Sequence, residues 1–401
     1  MHAPVFSRRQ ALAAGCAGLL AAACPAPSAR ADGGVPLVEP GISSWPSFRN
    51  GRELLGVAHG PLSEKLELLW TYKAGDQIFS TAAIVGDFVY AASLSGELFC
   101  LSRTDGKRIW TYRSKTSSNP KEFIPGFKAS PAVTADTVYV GDEDGMFHAV
   151  HRGTGEKKWT FATDGEIFSS ASVLPDRVLF GSYDSNLYCL KADTGGKLWQ
   201  FTTENKVNCT PAVSGGSTFI AGCDEHLRVI DIETGRQQTD IPLETYLIAS
   251  PAVMGDVLYV GTYASEVVAV DWKNAKRVWT YSSSDREFPY HSSAAVTDRF
   301  VVVGSNDKRL HCIDRQTGAK AWVFATRGKI EGSPVIVGDR VFVGSADGNL
   351  YGLHLATGQE FWRFTDSKGF SASPAVGEGC LVIGSLSRDG ALYCFGTPTR
   401  N

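Results

Sequence analysis

The chain has 401 residues, 43% hydrophobic and 20% charged, with a formal net charge of −3. That composition supplies a packed core and excludes a disordered protein; acids outnumber bases and no Lys/Arg block occurs, which argues against nucleic acid as a partner. No apolar run reaches the roughly 18 residues that a membrane-spanning helix needs.

Residues 1–31 hold Arg8, Arg9 and Arg30 but no acid, leaving 36 basic against 42 acidic residues, a net −6, in the remainder. Ser7-Arg8-Arg9-Gln10-Ala11-Leu12 leads into an Ala-rich apolar stretch ending at Ala23, and Ala29-Arg30-Ala31 offers small residues at signal-peptidase spacing. Residues 1–31 therefore read as an export signal of the twin-arginine (Tat) type, with a general secretory signal as the alternative. The expected location is the periplasm or another exported position in the cell envelope. Leu20-Ala21-Ala22-Ala23-Cys24 leaves a lipid anchor at Cys24 open, although Ala21 stands where a lipobox carries Leu. Seven of the nine cysteines lie beyond this leader, an odd number for an oxidising compartment.

A lead-in over residues 32–65 precedes a repeat that occupies residues 66–396, with 397–401 as a tail. Tryptophans at 70, 110, 159, 199, 279, 322 and 362 are spaced by 40, 49, 40, 80, 43 and 40 residues. The interval of 80 is two units, with Thr239 where the middle Trp belongs. A turn glycine stands four residues before most of them, as in Thr154-Gly155 to Trp159 and Thr317-Gly318 to Trp322. In step with the Trp runs a hydroxyl landmark: Thr81, Ser130, Ser170, Thr210, Ser250, Ser293, Ser333 and Ser373, usually within a Ser-Pro-Ala-Val-like segment. Four short strands per ~40 residues, separated by turn residues, are the signature of a propeller blade. Eight landmarks predict an all-β, eight-bladed propeller of four-stranded antiparallel blades. Residues after Ser373 supply only three strands, so the orphan strand 68–72 is predicted to complete the last blade by pairing with residues 391–395.

The run Ile313-Asp314-Arg315-Gln316-Thr317-Gly318-Ala319-Lys320-Ala321-Trp322 resembles the tryptophan-docking motif of PQQ-like propeller repeats, and the eight phased copies carry the resemblance over nearly all of 66–396. Trp45-Pro46-Ser47-Phe48-Arg49-Asn50-Gly51 is similar to a segment that precedes many bacterial propellers of this type. The resemblance implies Trp stacking between neighbouring blades. It implies two kinds of function as well, because the superfamily holds quinoprotein dehydrogenases and non-catalytic BamB-like envelope scaffolds. The scaffold role, with an envelope protein as partner and no cofactor, is the expectation; a dehydrogenase using PQQ with calcium in the axial funnel is the alternative.

An enzyme of that kind needs calcium ligands, a carboxylate base and, in many members, two adjacent cysteines; the chain has no adjacent cysteine pair. The positions two before each hydroxyl, Phe79, Lys128, Phe168, Asn208, Ile248, His291, Glu331 and Ser371, mark the funnel mouth. Lys128, Asn208, His291 and Glu331 are its candidate ligand-binding side chains, against the alternative of a hydrated polar channel. The eight hydroxyls, present in every blade, are assigned to architecture: a short hydroxyl satisfies a buried main-chain group where inner strands meet. Cys100, Cys189, Cys312 and Cys394 share one repeat position and read as packing, whereas Cys209 and Cys223 stand close enough in register to allow a disulfide. Asp142-Glu143-Asp144-Gly145 aligns with turns in other blades and reads as a turn before it reads as a calcium loop. The two longer connections, 113–129 and 285–291, belong to one class and should share a face, the expected partner surface. Phe123, Phe127 and Tyr290 within them are candidates for a carbohydrate or small-ligand site.

Overall fold

The computed structural model describes residues 43–116, 119, 122–283 and 288–398; the leader, Cys24 and parts of both longer connections lie outside them. The described residues form strands and turns with no helix, and so none long and apolar enough to cross a membrane. Eight antiparallel sheets follow one another along the chain as the blades of a ring, the first at 83–113 and the seventh at 335–365. The eighth combines residues 375–396 with Glu67–Lys73 as its outer strand. Leu68 faces Phe395, Trp70 faces Cys394 and Tyr72 faces Leu392, so the predicted closure holds in register. The ring thereby has no open blade edge along its closing seam.

Burial explains the strand sequences. Second strands such as Thr137–Gly141 and Cys380–Gly384 are buried at every position, because a neighbouring blade covers each face. They read as continuous apolar runs for the reason parallel sheets do. Outer strands reach past this sandwich and alternate, as Lys157–Ala162 does.

Each outer strand bulges just before its Trp, as between Lys157 and Trp159, which turns the indole onto the next blade. The ring then lies on the glycine of that blade's Thr-Gly turn rather than its own. A Cβ on Gly106, Gly155, Gly195, Gly235, Gly318 or Gly358 would stand 2.5–2.8 Å from the ring of the preceding Trp, and all six have positive φ. The indole N–H donates to a carbonyl of the same turn, as from Trp110 to Arg152 (2.9 Å) and from Trp279 to Arg315 (2.9 Å). Two junctions depart from this. At the closing seam, where the chain ends leave no such turn, Trp362 donates to the Leu66 carbonyl (3.3 Å). The second departure follows blade four. Blade four has Thr239 for Trp, and the turn it would dock on, in blade five, has Ala275 at φ 51° for Gly. Trp272 of that turn packs edge-on against Phe219 of blade four instead, with centroids 5.0 Å apart. Trp and Gly are lost together because the ring needs the missing Cβ.

The lead-in runs around the end of the ring where the first and second strands turn. Trp45 bridges to Ile84 of blade one, and the carbonyls of Pro46, Arg52, Glu53, Leu55 and Gly56 accept N–H groups of Val133, Val213, Val253, Val296 and Ile336. Val57–Ala58 then runs parallel to Val335–Val337 of blade seven. These acceptors serve one repeat position, the Val or Ile of the landmark segment, in blades one, two, four, five, six and seven. The collar is pinned by Arg49, a fully buried guanidinium that donates to the carbonyls of Pro334 (2.6 Å) and Ala294 (2.8 Å). Burial lowers its pKa to about 9.

The Cys209–Cys223 disulfide is not formed, and all seven cysteines of the described residues are free thiols. The two side chains turn in different directions: the Cys209 sulfur accepts the Ala221 N–H within its own blade, and Cys223 reaches the Leu247 carbonyl of the next connection.

Candidate functional site

The inner strands begin at the open end of the ring and run toward the collar, so the residues before each strand converge on the axis. All eight predicted mouth positions line one axial cavity of about 200 Å³, together with the eight landmark hydroxyls. Phe48 of the collar lines it as well and floors it. The axis is therefore a blind cup, open on the face where the 113–129 and 285–291 connections emerge.

The hydroxyls form a necklace around the cup. Thr81 N–H donates to Ser130 Oγ (2.9 Å), Ser130 N–H to Ser170 Oγ (3.0 Å) and Ser170 N–H to Thr210 Oγ1 (3.1 Å). The series continues through Ser250, Ser293 and Ser333 to Ser373, at 2.8–3.0 Å. Seven of the eight hydroxyls, from Ser130 to Ser373, satisfy the main-chain donor of the preceding blade, which is the architectural task read from the repeat.

Lys128, Asn208, His291 and Glu331 come together in the cup wall, each with a different environment. Lys128 Nζ pairs with Glu143 (3.0 Å) and lies 4.3 Å over the Phe168 ring. Asn208 Oδ1 accepts the Tyr183 hydroxyl (3.2 Å), and Glu331 accepts that of Ser371 (3.1 Å). Burial lowers the His291 pKa, which Glu331 opposes, and its Nε2 is enclosed without a hydrogen-bond partner. Glu143 thus answers Lys128, and Glu331 is left without an ion-pair partner among the described residues.

The acidic turn is structural. Asp142 accepts N–H groups of Asp144 and Met146 on one oxygen and meets His148 Nε2 (2.9 Å) on the other, while His148 Nδ1 meets the Tyr112 hydroxyl. Asp184 with Tyr188 and Asp347 with Tyr351 repeat the arrangement. No group of three or more His, Cys, Asp or Glu placed to hold a metal occurs among the described residues.

Two aromatic candidates are corrected. Phe127 and Tyr290 are 0% and 2% exposed, since their connections fold back between blades: Phe127 packs edge-on against His148 and Tyr290 against His311. Phe123 does stand outside, at 65%. Two further exposed aromatics of the mouth, Tyr246 and Tyr263, with ring centroids 6.3 Å apart, sit singly in turns where no periodicity flags them. Their one sequence signal was being large aromatics at turn positions that other blades fill with unrelated residues.

The family model described as outer membrane protein assembly factor BamB matches residues 62–174, 165–288 and 286–385. The BamB of Xanthomonas campestris is 26% identical over 114 residues, 27% of this chain and 28% of that protein. A quinoprotein ethanol dehydrogenase of Pseudomonas aeruginosa is 29% identical over 99 residues, 24% of this chain and 16% of that enzyme. The matched segments thus span well under two thirds of either relative. Among solved structures, BamB from Moraxella catarrhalis superposes with a TM-score of 0.68 at 20% identity, covering 84% of this chain and 99% of that one. Quinohemoprotein alcohol dehydrogenase from Comamonas testosteroni gives 0.74 at 14% identity, covering 90% and 81%. Both likenesses concern the fold. With the family match running through seven of the eight blades and into the last, the chain belongs to the BamB family of PQQ-like eight-bladed β-propellers.

Proposed function

We propose that the chain is a non-catalytic interaction scaffold of the cell envelope that binds a protein partner on the mouth face of its propeller. The carrying observation is where exposed apolar side chains fall. Leu68, Ile109, Leu198, Val278 and Val323 are scattered on outer strands around the circumference. Phe123, Tyr246, Tyr263 and Phe288, all aromatic, lie on the mouth face. Exposed aromatics gathered on one rigid face are the usual anchors of protein interfaces. A relative named as an outer membrane assembly factor and the export signal read in residues 1–31 both support an envelope partner.

The dehydrogenase alternative asks for groups these residues do not furnish. A quinone tricarboxylate with calcium calls for several free cations and a set of oxygen ligands. Lys128 is already held by Glu143, Glu331 adds negative charge, and a cup of about 200 Å³ lies below the roughly 300–1,000 Å³ of sites that bury larger organic ligands.

The test places a photo-crosslinking residue at 123, 246 or 263, and at 109, 198 or 323 as controls, in the exported protein. One adduct common to the mouth positions and absent from the controls is expected. Adducts from the controls alone would overturn the proposal, as would dye-linked alcohol oxidation after loading with PQQ and calcium.

A further inference from the structure

We infer that the axial cup binds a single neutral polyhydroxylated ring, a sugar unit, by its edge and its apolar face. The protein partner proposed above is not needed for this. Size is the first reason: the cup is closed beneath by Phe48, and its volume of about 200 Å³ suits one ring rather than an extended molecule.

Charge is the second reason. Lys128 is neutralised by Glu143 at 3.0 Å, and burial favours the neutral form of His291, so the wall offers no free cation to an anion, and Glu331 is left as a single carboxylate that accepts from hydroxyls. What remains is a mixture of hydrogen-bonding groups. Asn208 keeps its amide N–H donors, since only its oxygen is taken by Tyr183, and Glu331 keeps acceptor capacity beyond the one bond from Ser371. Below them, each necklace hydroxyl that accepts a main-chain N–H still has its own O–H to donate. A sugar hydroxyl is donor and acceptor at once and matches such a lining, whereas a planar apolar ligand would leave these groups unpaired.

The third reason is the apolar component. Phe48, Phe79 and Ile248 enter the same cup beside the polar groups, which gives the C–H face of a sugar ring a surface to cover. An inorganic anion gains nothing from that surface.

The experiment is saturation-transfer NMR with glucose, N-acetylglucosamine, maltotetraose, chitotetraose and inorganic phosphate on the purified full chain. Wild type is compared with Asn208→Leu, Glu331→Leu and the mouth-loop control Phe123→Ala. Transfer from at least one sugar is expected, with affinity at least about tenfold weaker in both cup variants, unchanged in Phe123→Ala, and melting temperatures alike. If one cup variant misfolds, the other carries the test. No transfer from any sugar, binding that survives in the cup variants, or binding of phosphate alone would overturn the inference. Crosslinking at position 123 reads the partner separately, so either proposal can fail while the other stands.

Discussion

The shared loss of Trp at 239 and Gly at 275 permits a sharp test of what joins the blades. Thr239→Trp alone should bring an indole against the Ala275 methyl, since at the six regular junctions a Cβ would stand only 2.5–2.8 Å from the ring. The ring cannot dock, and overpacking costs about 1–3 kcal/mol. Ala275→Gly alone relieves a φ of 51° but frees the unfolded chain, so its net effect stays within about 1 kcal/mol. Together the two changes rebuild the regular junction, with Trp272 giving up its place against Phe219 to the new indole. The indole N–H gains the Trp272 carbonyl as acceptor, worth about 1 kcal/mol, and the ring gains a buried seat like that of Trp110, which is 8% exposed. A coupling energy of about 2–3 kcal/mol in favour of the double variant follows. Urea unfolding of the four proteins, followed by circular dichroism, measures it. Additivity within about 0.5 kcal/mol would refute the claim that Trp and Gly are two halves of one contact.

Ser250→Ala removes the acceptor of the Thr210 N–H and should destabilise by about 1–3 kcal/mol, whereas Ser250→Thr, the residue of blades one and four, should stay within about 1 kcal/mol of wild type by the same unfolding assay. Gly56→Ala should loosen the collar, because the new Cβ would fall 1.8 Å from the Arg49 guanidinium at a φ of +64°; a loss of about 1–3 kcal/mol and faster proteolysis within residues 43–58 are expected. The third concerns pH. Burial holds the folded pKa of His291 below its usual 6.5, so the unfolded chain takes up the proton first and stability falls as pH drops below about 6.5. His291→Leu should lack this component, visible as a smaller difference between urea midpoints at about pH 7.5 and 5.5.

The parts of the molecule that were legible in the sequence are those that recur. The necklace hydroxyls and the Trp–Gly junction each repeat in phase, so an interaction between blades leaves a mark in every repeat, and even the cup lining follows by counting two residues back from each hydroxyl. The collar left no such mark. It touches the blades through carbonyls of a non-repeating segment, and main-chain acceptors impose no residue type except at Arg49 and Gly56, where a buried cation and a positive φ do. Phe127 and Tyr290 misled for a related reason. Extra length in a connection suggested exposure, yet each aromatic is the residue by which its connection is anchored in the core.

The same distinction separates architecture from function in this ring. Symmetric demands, such as satisfying the landmark N–H at the start of an inner strand, are met in the same way at seven of the eight landmarks and leave little to choose among partners or ligands. Specificity must come from what breaks the symmetry. Apart from the Thr239–Ala275 junction and the collar, the asymmetric features are the aromatics of the mouth, the two long connections and the unequal side chains around the cup, among them Lys128, Asn208, His291 and Glu331. They all lie on or open toward one face, while the collar closes the other end with main-chain bonds. A rigid ring with one end sealed and its irregular residues concentrated at the other has a single surface able to discriminate, and that surface is where binding is to be sought.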